Sequence, residues 1–145
     1  MEAQEFISKG SGVITLCGST KYFFEVMEAN RLLTFDNWIV LMCGSWGHSY
    51  HKYVLNTSTD YATVKKLHYY KILQSNAIIV VTDSTHYYGE STKAEIKFAE
   101  FIKIPVFFFD GSKFFGSTED NYAPVRGYFE KGILEDFEKN NSLGY

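Results

Sequence analysis

The sequence predicts an α/β fold: a doubly wound parallel sheet with core strand order 2-1-3-4, flanked by helices. Three observations carry that expectation. Four short apolar runs are continuous rather than alternating, which is how strands buried on both faces read. The stretches between them show helical periodicity. The pieces alternate strand, helix, strand along most of the chain, so right-handed crossovers return each strand parallel to the last.

The first strand is 12–17, Gly-Val-Ile-Thr-Leu-Cys. Gly18-Ser19-Thr20 interrupts it, and a helix is expected over about Lys21–Thr34. There Tyr22, Val26, Ala29 and Leu33 fall at i, i+4, i+7 and i+11, one helical face. The second strand is 38–43, Trp-Ile-Val-Leu-Met-Cys, followed by a long loop at 44–59 rich in glycine, serine and rings. A helix is expected over about Asp60–Leu73, with Asp60 as candidate cap. Residues 77–82, Ala-Ile-Ile-Val-Val-Thr, form the third strand. After a loop from Asp83 to Ser91, a helix is expected over about Thr92–Lys103, then a fourth strand at 105–109. Beyond Asp110-Gly111 the pattern weakens, and a last helix is placed near 128–139. The whole of 1–145 reads as one Rossmann-like or flavodoxin-like domain, with its core at about 12–109 and a C-terminal extension at 110–145. Such sheets take ligands at the carboxyl ends of their strands.

Composition narrows the function classes. The chain has 145 residues, 46% hydrophobic and 18% aromatic, enough to form a core without disulfide or metal staples. Fourteen basic residues face seventeen acidic ones, and only Arg31 and Arg126 are arginines. No basic cluster suits a nucleic-acid polymer, so none is expected as a partner. The two cysteines, Cys17 and Cys43, have neither disulfide-framework nor zinc spacing and read as small buried apolar residues in a reducing cytosol. The polar, acidic start is no signal peptide, and no apolar run reaches the roughly 20 residues of a membrane span. The expectation is a cytoplasmic protein with no membrane partner.

Three loops follow strand ends. In the first, Gly18, Ser19, Thr20 and Lys21 present backbone N–H groups and a positive charge at a helix start, suited to phosphate or carboxylate; a plain turn capped by Ser19 or Thr20 is the alternative. It is neither a Walker A loop nor Gly-x-Gly-x-x-Gly, so ATP and NAD are not indicated. In the second, Trp46, His48, Tyr50, His51 and Tyr53 crowd into a polar loop. A nucleobase would stack on such rings, or the rings pack on the domain or a second subunit. No cysteine or carboxylate beside His48 and His51 completes a ligand set, and neither metal nor organic cofactor is expected. His68, in the stripe of Val64 and Ile72, reads as a satisfied core histidine.

The third loop is the most specific. Asp83 follows the third strand, and Glu95 lies near the start of the next helix, with Ala99 and Ile102 at i+4 and i+7. That puts Glu95 on the inward face, where two neighbouring carboxylates in different environments divide nucleophile and proton-donor work. Alternatively, Thr92-Lys-Ala-Glu95 is a capping box and Glu95 serves only a backbone N–H.

A strand ending Gly-Ser-Thr, a strand reading Ala-Ile-Ile-Val-Val-Thr-Asp, and Ser-Thr-Lys-Ala-Glu-Ile-Lys-Phe-Ala together resemble the nucleoside 2-deoxyribosyltransferase-like superfamily. That group holds nucleoside deoxyribosyltransferases and nucleotide N-glycosidases. The resemblance covers about 12–109. It implies that Glu95 attacks or stabilises the sugar C1′ and that Asp83 works near the leaving base. It also implies that Gly18 and Ser19 meet the nucleotide and that Ser91 and Thr92 offer a hydroxyl and helix N–H groups to any phosphate; Gly89, in the same loop, is a further candidate for substrate binding. With such a ligand, Trp46 or Tyr50 of the aromatic loop would cover the base, with His48 a further candidate for substrate binding. The implied partner is a small nucleotide or nucleoside, and the implied assembly is a homo-oligomer, at least a dimer. Two alternatives stay open: a binding protein that sequesters a nucleotide-derived signal such as an ADP-ribose derivative, and a protein-binding domain whose aromatic loop is an interface.

Overall fold

In the computed structural model, residues 1–44, 58–119 and 133–141 are described. The elements in chain order are α1 (Ala3–Ser8), β1 (Val13–Cys17), α2 (Phe23–Phe35), β2 (Ile39–Leu41), α3 (Ser58–Leu73), β3 (Ala77–Val81), α4 (Glu90–Phe101), β4 (Val106–Phe109), β5 (Phe114–Phe115) and α5 (Ile133–Asn141). They build an α/β structure on a five-stranded sheet, ordered β2-β1-β3-β4-β5. β1 pairs in parallel with β2 and β3, and β3 with β4, so the expected order of the first four strands is present. From β1 the chain moves outward to β2 and then crosses back to β3. The carboxyl ends of β1 and β3 therefore lie side by side where the direction of winding reverses.

Side-chain alternation in the central strands decides what each face buries. Ile14, Leu16, Ala77, Ile79 and Val81 join Tyr22, Val26, Ala29 and Leu33 in one cluster. The expected inward stripe of α2 is thus the buried one. Cys17, Ile78 and Val80 point the other way, into a cluster with Tyr69, Ile72, Leu73, Phe98, Ala99 and Phe137. All five residues of β3 are buried, which explains its unbroken apolar run. β2 is shorter than the expected 38–43 and lies at the sheet edge; its Ile39 is 63% exposed.

Two elements were not expected. The six-residue α1 is held by tertiary contacts: Phe6 stacks on Trp38 at 5.4 Å, and the Trp38 indole N–H donates to the Ile7 carbonyl at 2.8 Å. β5 pairs antiparallel with β4 through a turn in which the Asp110 carboxylate accepts from the N–H groups of Ser112 and Lys113. Gly111 there has φ +97°, a conformation that costs glycine little.

Two helix starts differ from expectation. α3 begins at Ser58, so Asp60 lies inside it and is not its cap. α4 begins at Glu90, after an extended Gly89 whose carbonyl accepts the Lys93 N–H at 3.0 Å. A capping-box glutamate belongs at the third helical position, which here is Thr92; Glu95 lies a turn further on and does not serve the cap. Among the described residues, no helix is long and apolar enough to cross a membrane.

Candidate functional site

β1 ends at Cys17, and Gly18 follows with φ +137°. A Cβ on Gly18 would lie 2.4 Å from the Val81 carbonyl oxygen, so only glycine lets the chain turn this close to β3. Ser19 then caps a single 3₁₀ turn, Thr20–Tyr22, its hydroxyl accepting the Lys21 N–H at 3.3 Å. The first loop thus has the capped turn that was one of its two expected forms, and it leads straight into α2.

The first and third loops meet. The Tyr22 hydroxyl donates to the Tyr87 carbonyl at 3.1 Å, and the Lys21 ammonium lies 4.7 Å from the centre of the Tyr87 ring. Asp83 accepts from the Thr85 N–H at 2.9 Å and from its hydroxyl at 2.5 Å. Those bonds, the hydroxyl first and the N–H second, hold the Asp83 carboxyl below its ordinary range, and the charge of Lys21 adds to them. The third loop is also tied to the β4–β5 turn. His86, at φ +61°, stacks on Phe115 at 4.9 Å and sets its Nε2 3.5 Å from Asp110. The Lys113 N–H, helped by the Ser112 N–H and hydroxyl and by His86, brings the Asp110 carboxyl to about 2.

Glu95 has a different environment. It is 8% exposed, on the α4 face that carries Phe98 and Ala99 into the core. Its Oε1 lies 3.6 Å from Nε2 of His68, and the ligand-type atoms of Cys17, His68 and Glu95 all lie within 4.8 Å of one another. Burial first, then the charge of Glu95 and a hydrogen bond to it, push the Cys17 thiol well up. At neutral pH Cys17 is therefore a thiol that donates to Glu95 rather than a reactive thiolate. Burial, with Glu95 second, also raises the Tyr69 phenol. His68 is buried as expected, but among the described residues its Nδ1 has no hydrogen-bond partner, so it is not the satisfied histidine that the sequence suggested.

The structure therefore groups the expected residues in two sets. Gly18, Ser19, Lys21 and Asp83 lie on the strand-end loops, with Lys21 and Asp83 close enough to interact. Glu95 is buried next to Cys17, the residue that precedes Gly18. Thr92 is buried one turn before Glu95, whereas Ser91 is exposed and Gly89 half-buried. Asp83 takes its hydrogen bonds from Thr85, and Glu95 takes its close contacts from Cys17 and His68. The second loop, with Trp46, His48, Tyr50, His51 and Tyr53, lies outside the described residues. Sequence reasoning assigned Cys17 and His68 to the core and missed that they converge on Glu95.

No family model, curated protein or solved structure matches this chain.

Proposed function

We propose that the chain is an N-glycosidic-bond enzyme acting on a small nucleotide or deoxynucleoside, on a Rossmann-like scaffold of the nucleoside 2-deoxyribosyltransferase kind. The observation that carries the reading is Glu95: a buried carboxylate beside Cys17, the last residue of β1, that serves no helix cap. A group so placed is costly to keep without a purpose, because burial penalises its charge.

In the proposed reaction a Glu95 oxygen bonds to the sugar C1′ as the C1′–N bond breaks and the base leaves with the bonding pair. Water then attacks C1′, the C1′–O bond to Glu95 breaks and frees the carboxylate, and the water's proton neutralises the departed base; or a second base takes the sugar in place of water, with its N–H proton going to the first base, which would make the enzyme a transferase. The Cys17 S–H and the His68 imidazole flank the carboxylate and orient it. Gly18, Ser19, Thr20 and Lys21 take the sugar or a phosphate, together with Gly89, Ser91 and Thr92 at the start of α4. Asp83, held ionised by Thr85, suits accepting a hydrogen bond from the base or sugar better than delivering a proton. Trp46 or Tyr50 remains the proposed cover of the base, with His48 a further candidate for substrate binding.

Screening nucleotides and nucleosides for released free base tests the reading. Release from one of them supports it. Stoichiometric binding of an intact nucleotide without release favours the sequestering protein, and no binding at all favours a protein-interaction domain. The same reading includes an assembly of at least two copies, for which exposed Phe24 and Phe35 on α2 and Ile39 on β2 offer apolar surface. Light scattering at micromolar concentration checks it.

A further inference from the structure

Three buried side chains of different chemistry converge from three elements: Cys17 from the end of β1, His68 from α3 and Glu95 from α4. A thiol, an imidazole and a carboxylate are the donor types that zinc and its neighbours in the transition series take. We propose that Cys17, His68 and Glu95 form a three-ligand site for a borderline divalent transition cation such as Zn²⁺ or Co²⁺.

The geometry supports this in two ways. In a tetrahedral zinc site the bond lengths place neighbouring N and O ligands about 3.4 Å apart, and neighbouring S and N ligands about 3.6 Å apart. The His68 Nε2 to Glu95 Oε1 separation is 3.6 Å, longer than a good hydrogen bond and close to that ligand-to-ligand spacing. The whole trio lies within 4.8 Å, so small rotations of the side chains close it around one ion. The second support is His68 itself. The residue is 5% exposed, and its Nε2 faces the Glu95 carboxylate. Its only ion-pairing neighbour among them is Glu95, at a distance that leaves the imidazole poorly used. Buried polar groups are normally satisfied, and a cation between Nε2 and the Glu95 carboxylate would use both of these atoms.

Binding would form a sulfur–metal bond as the Cys17 S–H breaks, with the proton passing to solvent. Three protein ligands leave a fourth tetrahedral position for water or a ligand atom. The trio lacks the all-oxygen set that Mg²⁺ and Ca²⁺ require. The site goes beyond the glycosidic reading and does not rest on it. A carboxylate neutralised by a divalent ion is a poor nucleophile, so base release would belong to the metal-free chain.

The test uses the full-length protein, stripped with a chelator and titrated with Co²⁺. One equivalent should bind, with a thiolate-to-cobalt charge-transfer band in the near ultraviolet and the intense visible bands of tetrahedral cobalt. Zn²⁺ should displace it and bleach the colour, while excess Mg²⁺ should not. Cys17→Ser should abolish the charge-transfer band. His68→Gln should weaken binding by more than about 100-fold, beyond what loss of an outer-shell partner costs. Circular dichroism of each variant establishes that it is folded. Absence of stoichiometric cobalt uptake by the wild-type chain overturns the proposal without recourse to any variant, and so does a charge-transfer band that survives Cys17→Ser. No turnover enters these readouts. A missing band therefore counts against the metal site alone, and missing base release from the stripped protein counts against the glycosidic reading alone.

Discussion

The two faces of this sheet are built from the same strands and bury different chemistry. The α1/α2 face is a packed apolar layer of Ile14, Leu16, Val26, Leu33, Ile79, Val81 and Phe107, and the Trp38 indole in it has its donor paired with the Ile7 carbonyl. The α3/α4 face uses the alternate residues of β1 and β3, yet admits Cys17, His68 and Glu95 among Ile72, Phe98 and Ala99. A core selected for stability alone would resemble the first face, because buried ionisable groups cost free energy unless their partners match them well. The second face accepts that cost beside Cys17, the last residue of β1, and the carboxyl ends of strands are where sheets of this kind take ligands. Both faces bury apolar side chains, and the second also buries the three ionisable groups on which the proposed chemistry rests.

Substitutions on the two faces and at their rim should differ in size. On the first face, Ile79→Ala empties a fully buried position in the central strand and should cost about 3–4 kcal/mol in denaturant unfolding. A cost under about 1 kcal/mol would mean that this face is not the stabilising one. At the junction of the faces, Gly18→Ala forces a Cβ toward the Val81 carbonyl at a positive φ and should cost roughly 2–3 kcal/mol. It should also perturb whatever binds above β1, which ligand titration beside the melt would read. Trp38→Phe keeps most of the ring packing but leaves the Ile7 carbonyl without its donor, for a loss of about 1–2 kcal/mol.

The smallest effect belongs to the rim and depends on pH. The folded pKa of Asp110, about 2, lies below the roughly 3.9 of an unfolded aspartate. The group therefore contributes stability above the unfolded value, and that contribution is lost as pH falls through the folded one. Asp110→Asn should lower the melting temperature modestly at neutral pH, and the gap to wild type should close between about pH 4 and pH 2. A gap that stays constant over that window would remove the charge of Asp110 from the account.

Much of the scaffold was legible because it rests on local patterns. Continuous apolar runs marked β1, β3 and β4, and the spacing of Tyr22, Val26, Ala29 and Leu33 marked the buried face of α2. The elements missed are those that context creates. α1 is too short to be stable alone and forms because Phe6 and Ile7 meet Trp38. The β4–β5 hairpin did carry a signal, Asp110-Gly111 between two phenylalanine runs, which turn chemistry could have identified. The start of α4 was misplaced because Thr92-x-x-Glu95 imitates a capping box, while the actual N-cap, Gly89, has no side chain to advertise it. At the site, Glu95 stood out from its inward position beside a strand end. Cys17 and His68 did not, because each looks like an ordinary core residue until the crossovers bring β1, α3 and α4 together. Spacing motifs reveal ligands or catalytic groups on one segment, and these three come from separate ones.

Glu95→Gln decides whether Glu95 is buried for chemistry or for the fold. Glutamine keeps the shape and the hydrogen-bonding capacity of the side chain, and no helix cap depends on the carboxylate. Stability should change by no more than about 1 kcal/mol. Base release should fall by orders of magnitude, with nucleotide binding retained, because glutamine cannot act as an anionic nucleophile. The measurement is a melting curve beside a base-release assay on the metal-free wild-type and variant proteins. Turnover equal to wild type in a folded Glu95→Gln protein would contradict the account, and so would a large loss of stability on its own.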